Sequence, residues 1–104
     1  MKLGLCQINA TVGSFEGNKN LILEYYEKCI YNELDLAVFP ELIITGYPPQ
    51  DLLWEDGFIS ENLRTLNEIS LMSTIPIILG FVRAEKGKIF NSAALCYDGK
   101  LQQV

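Results

Sequence analysis

The sequence predicts an α/β fold in which strands and amphipathic helices alternate along the chain. Three observations lead to this prediction. Short runs of consecutive apolar residues are typical of strands covered on both faces, two segments repeat apolar residues at helical spacing, and Asp98-Gly99 is a two-residue hairpin signal. With 104 residues, the chain has the size of one small domain or of part of a larger one.

The N-terminal forty residues predict a first βαβ unit. Leu3 to Ile8 is mostly apolar and predicts a strand. Asn18 is predicted as the N-cap of a helix. A second strand is predicted from Leu36 to Phe39 and stops at Pro40. The helical prediction rests on two adjacent rows of apolar residues at intervals of four, Leu21, Tyr25 and Cys29 beside Ile22, Tyr26 and Ile30.

The second part of the chain predicts a loop, a helix and two strands. Residues 45–56 contain one glycine and two prolines and predict a loop. Apolar residues return at helical spacing over about 57–73, which predicts a second helix. Ile75 to Val82 and Ile89 to Tyr97 predict strands, and the polar segment Glu85 to Lys88 between them predicts a hairpin turn.

The predicted sheet is expected to continue beyond the chain. After the turn at Asp98-Gly99, Lys100 to Val104 would begin a returning strand. Two helices can hardly cover both faces of a sheet of four or five strands. We therefore expect residues 1–104 to be the N-terminal portion of a larger α/β domain, without an internal boundary because no repeat, low-complexity tract or linker is present.

Composition and charge exclude or disfavour several classes of function. Eight Lys and Arg against thirteen Asp and Glu give a net charge of 8 − 13 = −5, which disfavours binding to nucleic acid or to anionic membranes. Without histidine, neither a Ser-His-Asp triad nor a Cys-His pair can be built from these residues. Neither a signal peptide nor an apolar run of about 20 residues is present, and we expect a cytoplasmic location.

Glu41 is the carboxylate in the most informative position. It follows directly on a predicted buried strand, where open α/β sheets place ligand sites, and its neighbours in sequence are apolar. Desolvation by such neighbours would raise the pKa of its carboxyl group and make it a better base. The local pattern also fits an ordinary loop carboxylate or the cap of a short helix.

The residues around Glu41 resemble the nitrilase, or carbon-nitrogen hydrolase, superfamily. The resemblance rests on Phe39-Pro40-Glu41, preceded by Asp35 to Val38 and by a first strand that contains Gln7 and Asn9. It implies the N-terminal part of a nitrilase-like α-β-β-α sandwich, here incomplete. It also implies a Glu-Lys-Cys triad in which Glu41 is the general base.

A narrower resemblance is to the glutaminase domains of glutamine-dependent NAD synthetases. It rests on several motifs that occur in order along the chain, Thr11-Val12-Gly13, Phe15-Glu16-Gly17-Asn18, Thr45-Gly46-Tyr47-Pro48-Pro49 and Asp51-Leu52-Leu53. It implies that glutamine is the substrate, that its amide supplies ammonia for NAD synthesis, and that Tyr47 lies near the glutamine pocket. A packed loop aromatic explains Tyr47 equally well. Asn91 could help to order the catalytic region, although a strand-edge hydrogen bond explains it too.

The other two triad members have no counterpart in these residues. The resemblance places the catalytic Lys beyond Val104 and the nucleophilic Cys further on, so the 104 residues alone are expected to be inactive. The three cysteines, Cys6, Cys29 and Cys96, lie in apolar runs and are predicted to pack in the core as reduced thiols. Three lysines, Lys86, Lys88 and Lys100, lie in or beside predicted turns and are expected to be solvated.

Partners and cofactors follow from the same resemblance. Because no Gly-rich phosphate loop is present, no cofactor is expected in this segment. ATP and Mg²⁺ would belong to a synthetase domain of the same full-length chain, and a homo-oligomer is expected. Two alternatives stay open: another amidase of the nitrilase superfamily, and a non-catalytic structural or oligomerising fragment.

Overall fold

Two helices and five strands make up the described part of the chain, residues 1–46 and 57–104 of a computed structural model. In chain order they are β1 (Leu3–Leu5), α1 (Phe15–Tyr31), β2 (Leu36–Val38), α2 (Phe58–Leu71), β3 (Ile77–Glu85), β4 (Lys88–Tyr97) and β5 (Lys100–Gln103). This alternation confirms the predicted α/β class.

The strands form one mixed sheet in the order β1-β2-β3-β4-β5. The first three strands are parallel, and β4 and β5 are antiparallel to their neighbours. The two helices contact each other, with Lys19 Nζ 3.6 Å from Glu68 Oε1 and the rings of Phe15 and Phe58 5.0 Å apart. They therefore lie side by side on the same face of the sheet, as two crossovers of the same hand require.

The two faces of the sheet differ in burial. The helix-covered face includes a fully buried row across four strands, formed by Gly4, Ala37, Ile77 and Cys96. The neighbouring row faces the opposite side and is apolar but more accessible, formed by Leu5, Val38, Ile78 and Leu95. Leu5 in this second row is 66% exposed. The two described helices thus cover one face of the sheet, which agrees with the prediction that two helices can hardly cover both faces.

The start of α1 differs from the prediction. Ser14 occupies the N-cap position and the helix begins at Phe15, so the N-cap prediction for Asn18 is wrong. Asn18 lies inside the first turn and is only 2% exposed. Its amide is buried because it bonds the backbone of two loops, and this tertiary role cannot be told from capping by residue type alone.

Both hairpin predictions are confirmed. Lys86 and Gly87 have φ of 51° and 76°, and Asp98 and Gly99 have φ of 55° and 73°. Positive φ at both central residues is the two-residue turn that matches the twist of antiparallel strands. The predicted loop over 45–56 lies almost wholly outside the described residues. Within the described ranges, no helix has the length and apolar character needed to span a membrane.

Candidate active site

Glu41 lies at the carboxyl end of the parallel strands. The ladder of β2 continues for one residue, with the Phe39 N–H donating to the Ile78 carbonyl at 2.8 Å. Pro40 then ends the hydrogen-bonded pairing with β3, since it has no N–H to donate. Glu41 starts the turn that follows, in the position where open α/β sheets bind their ligands.

The turn from Glu41 to Gly46 is closed by its own backbone and anchored by apolar side chains. The Gly46 N–H donates to the Leu42 carbonyl at 2.9 Å. Leu42 has a φ of 51°, a left-handed conformation that costs a residue with a side chain about 1–2 kcal/mol. Ile43 and Ile44 are 2% and 0% exposed, and their burial holds the turn in this strained form.

Asn18 joins this turn to the loop that follows β1. Its Oδ1 accepts the Thr11 N–H at 2.8 Å, and its Nδ2 donates to the Thr11 carbonyl at 2.8 Å and to the Ile44 carbonyl at 3.0 Å. The Gly13 N–H also donates to the Thr45 carbonyl at 2.9 Å. Because three of these bonds converge on one buried amide, the two loops form a single unit at the edge of the site.

Asn91 on β4 is the polar partner of Glu41. Its Nδ2 donates a hydrogen bond to Glu41 Oε1, which fixes one carboxylate oxygen and leaves the other for a reacting group. Both residues are exposed. The described residues therefore do not enclose the Glu41 carboxylate as expected, although the apolar residues Pro40, Leu42 and Ile43 line one of the cavities beside it.

Two open cavities meet at Glu41. One, of about 320 Å³, lies between the loop after β1 and the turn and includes Asn9 in its lining. The other, of about 220 Å³, lies against β3 and β4 and includes Gly80 and Asn91. Within residues 1–46 and 57–104, no three His, Cys, Asp or Glu side chains come together as a metal site. The arrangement presents one oriented carboxylate to two small clefts.

The remaining candidate residues lie away from Glu41 or outside the described ranges. Tyr47 is one of the residues that the structure does not describe. No described cysteine or lysine lines either cavity at Glu41. The three cysteines are buried free thiols. Lys86, Lys88 and Lys100 lie at the two hairpins and are exposed. Among the described residues, Glu41 therefore has neither a thiol nor an ammonium group beside it.

The buried thiols are expected to be poor nucleophiles. Burial raises the pKa of the Cys6 thiol to about 12, with a further contribution from the Cys29 thiol, whose Sγ lies 3.6 Å away. Burial also raises the pKa of Cys96 to about 11. Since the thiolate is the reactive form, iodoacetamide should label Cys6 and Cys96 far more slowly in native than in urea-unfolded protein at pH 8.

Peptide mapping after timed labelling measures this difference. In the native protein, the labelling rate should continue to rise above pH 9, whereas in unfolded protein it levels off above the ordinary thiol pKa of about 8.5. Labelling of native Cys6 or Cys96 at the unfolded rate would contradict the expectation.

Comparison with known proteins identifies the family of this chain. Residues 2–102 match the family described as Carbon-nitrogen hydrolase. The chain belongs to the carbon-nitrogen hydrolase family.

Among characterised proteins, this chain is similar to one group of synthetases. The chain is 33% identical to the glutamine-dependent NAD(+) synthetase of Thermotoga maritima, over 97% of this chain and 18% of that protein. It is 30% identical to the synthetase of the same name from Acinetobacter baylyi, over 94% of this chain and 18% of that protein. These matches confirm the resemblance to the N-terminal part of glutamine-dependent NAD synthetases. The chain spans 18% of the length of these relatives.

Solved structures show the same fold. A glutamine-dependent NAD(+) synthetase from Cytophaga hutchinsonii superposes with a TM-score of 0.92 at 26% identity, over 98% of this chain and 18% of that one. An amidase from Nesterenkonia sp. superposes with a TM-score of 0.85 at 20% identity, over 98% of this chain and 40% of that one. The second match shows the fold alone, and together they confirm the nitrilase-like fold class.

Proposed function

We propose that this chain is part of a glutaminase domain that hydrolyses the side-chain amide of glutamine and supplies ammonia for NAD synthesis. Its carbon-nitrogen hydrolase membership supports amide hydrolysis. The observation that carries the choice of glutamine is the 33% identity to a protein called glutamine-dependent NAD(+) synthetase over 97% of the chain. Glu41 is proposed as the general base, and the Lys and Cys of the triad would come from polypeptide outside residues 1–104.

In this proposal, Glu41 generates the nucleophile. A cysteine thiol of ordinary pKa is mostly protonated at neutral pH, and a neighbouring carboxylate can accept its proton as the sulfur attacks the amide carbon. The hydrogen bond from Asn91 leaves the second oxygen of Glu41 available for that proton. The two cavities beside Glu41 supply space for the attacking thiol and the substrate.

The later steps need the other two triad groups. The ammonium group of the Lys would stabilise the oxyanion that forms on the former carbonyl oxygen. The proton taken by Glu41 would then be returned to the departing nitrogen as ammonia leaves. Water would hydrolyse the glutamyl thioester, giving glutamate and the free thiol. Tyr47 is proposed to contact the bound glutamine.

Intact mass and ammonia release, measured on one sample of the native polypeptide purified from its source, test this proposal. A polypeptide of 11.7 kDa should release no ammonia from glutamine, since it would carry no catalytic Lys or Cys. A longer polypeptide that contains residues 1–104 should release ammonia. Turnover by the pure 11.7 kDa chain, or no turnover by a longer one, would contradict the proposal.

A second candidate is an amidase with a different small amide as its substrate. The superposition on the Nesterenkonia amidase is compatible with this possibility, although at 20% identity it carries only the fold. A screen of the active polypeptide with glutamine, asparagine and simple aliphatic amides separates the two. Preference for free glutamine supports the synthetase proposal, and preference for another amide supports this alternative.

A third candidate is a non-catalytic role as a structural or oligomerising piece. The accessible apolar row that contains Leu5 and Val38 is the observation in its favour, because exposed apolar surface and free strand edges promote association. We propose that the protein forms a homo-oligomer whichever of the three functions it has, and light scattering measures the mass of this oligomer. Association without amide hydrolysis in a longer polypeptide would favour the structural role.

The synthetase reaction itself is proposed to take place outside this segment. The aligned region is 18% of the length of each of these relatives, which leaves room for a linked synthetase domain. We propose that ATP and Mg²⁺ bind in that domain and that ammonia from the glutaminase domain reaches it.

A further inference from the structure

We propose that Gly80 is a positioning residue that sets the place of the Glu41 carboxylate, an inference that rests on the proposed role of Glu41 as the base. Gly80 lies in the middle of β3, where a glycine is unfavourable unless something needs to approach the strand closely. The proposal assigns that approach to the turn that begins with Glu41.

The turn lies directly over the position where a side chain of residue 80 would begin. A Cβ at Gly80 would overlap the Leu42 nitrogen and would lie 2.9 Å from both the Cα and the carbonyl carbon of Glu41. Contacts below 3.0 Å are essentially never seen for real Cβ atoms. Because all three atoms belong to the backbone, no side-chain rotation can relieve the overlap, and the turn itself would have to move.

The register of β3 and β4 explains why such a movement would act on Glu41. Gly80 pairs with Ala93, and Val82 pairs with Asn91, so Gly80 and Asn91 are diagonal neighbours on one face of the ladder. The turn is held between them, with its backbone against Gly80 and its carboxylate on Asn91. Displacement from Gly80 therefore changes the distance between Glu41 and Asn91.

The far end of the turn cannot move freely to compensate. Its Ile44 carbonyl is bonded to Asn18 at 3.0 Å. Leu42 already has a strained left-handed backbone, which persists only because the surrounding structure holds it, so this residue has little freedom to adjust. We expect the shift to be concentrated at Glu41, the exposed residue at the start of the turn.

Gly4 provides a matched control for a merely structural role. A Cβ at Gly4 would also overlap its surroundings, at 2.8 Å from Cys29 Sγ and 2.8 Å from Leu34 Cδ1. Those are side-chain atoms in the helix-covered core, away from Glu41. Both Gly4→Ala and Gly80→Ala should therefore lower stability, but only Gly80→Ala should move the carboxylate.

The test compares the two variants in the native polypeptide by crystallography and by kinetics. In Gly80→Ala, the hydrogen bond between Asn91 and Glu41 should be lost, and kcat for glutamine hydrolysis should fall about tenfold to a hundredfold with KM within about twofold. Gly4→Ala should keep the hydrogen bond and kcat. Combining Gly80→Ala with Glu41→Gln should add little to the loss from Glu41→Gln alone, because both act through one group.

The outcomes separate this inference from the proposed function. An unchanged contact between Asn91 and Glu41 in folded Gly80→Ala overturns the inference, whether or not the protein is active. Absence of glutamine hydrolysis in every variant counts against the proposed function, while the crystal structures still decide the position of the carboxylate. If Gly80→Ala does not fold, a crystal structure of the unmodified polypeptide decides: Gly80 Cα within about 4 Å of the Leu42 nitrogen supports the inference, and a longer separation overturns it.

Discussion

Replacing Glu41 by Gln is expected to lower the rate of glutamine hydrolysis by about 10²- to 10⁴-fold, the usual contribution of a general base. The amide has the same shape as the carboxylate, and its oxygen can still accept the hydrogen bond from Asn91, but it cannot take a proton from a thiol. The loss should appear in kcat, measured as ammonia release by the native polypeptide at saturating glutamine.

Glu27 supplies the matched control for this experiment. It is an exposed glutamate on α1, and Glu27→Gln makes the same chemical change and the same change in net charge. This variant should keep the original rate, and circular dichroism should show both variants folded. Full activity in a folded Glu41→Gln variant would remove Glu41 from the mechanism and favour the structural role.

Replacing Asn62 by Ala is expected to give a large loss of stability, about 3 kcal/mol in the free energy of unfolding. Asn62 on α2 is 0% exposed. Its Nδ2 donates to the Val82 carbonyl at 2.5 Å, and its Oδ1 accepts the Val82 N–H at 3.0 Å. Alanine would leave two buried backbone groups without partners, and each such group costs about 1–3 kcal/mol.

Urea unfolding followed by circular dichroism measures this loss, and Asn67 on the same helix is its control. Asn67 is exposed, so Asn67→Ala makes the same change without uncovering a buried group. It should alter the free energy of unfolding by no more than about 0.5 kcal/mol, with any gain coming from the higher helix propensity of alanine. A loss below about 1 kcal/mol in Asn62→Ala would show that water replaces the missing amide.

The Glu41 and Asn62 predictions both concern the part of β3 that extends beyond the end of β2. The backbone groups of β3 that face the missing strand need other hydrogen-bond partners there. The pairing of β2 with β3 ends at Val38 and Ile78, but β3 continues to Glu85. Beyond that point, the Gly80 carbonyl accepts the Ile44 N–H of the turn at 3.4 Å. At Val82, the side-chain amide of Asn62 bonds the free carbonyl and N–H of the strand. The end of the short strand therefore creates both the place for the Glu41 turn and the need for a buried amide.

Much of the fold could be predicted because local signals and global structure agree. The apolar run of β2, the helical spacing in α1 and α2 and the two hairpin turns depend on neighbours within a few residues, and each is present. The position of Glu41 after a parallel strand was equally predictable, since it depends only on where that strand ends.

Other features of the site could not be predicted from local sequence. The burial of Asn18 inside α1 depends on two loops that meet there, and residue type suggested a cap instead. The exposure of Glu41 depends on the direction of its side chain, whereas its apolar neighbours suggested enclosure. A glycine within the apolar run of β3 was a signal that could have revealed Gly80, because isolated strand glycines often mark a close backbone approach.

Hydrophobic periodicity, turn residues and the Phe39-Pro40-Glu41 motif are all local patterns, so the class of fold, the order of its elements and the candidate role of Glu41 could be predicted from the amino-acid sequence. Which groups contact Glu41 depends instead on how distant parts of the chain pack together. Asn91 and Gly80 lie 50 and 39 residues further along the chain, and strand register alone brings them to the same turn. Register follows from the packing of the whole sheet, which no short stretch of sequence specifies.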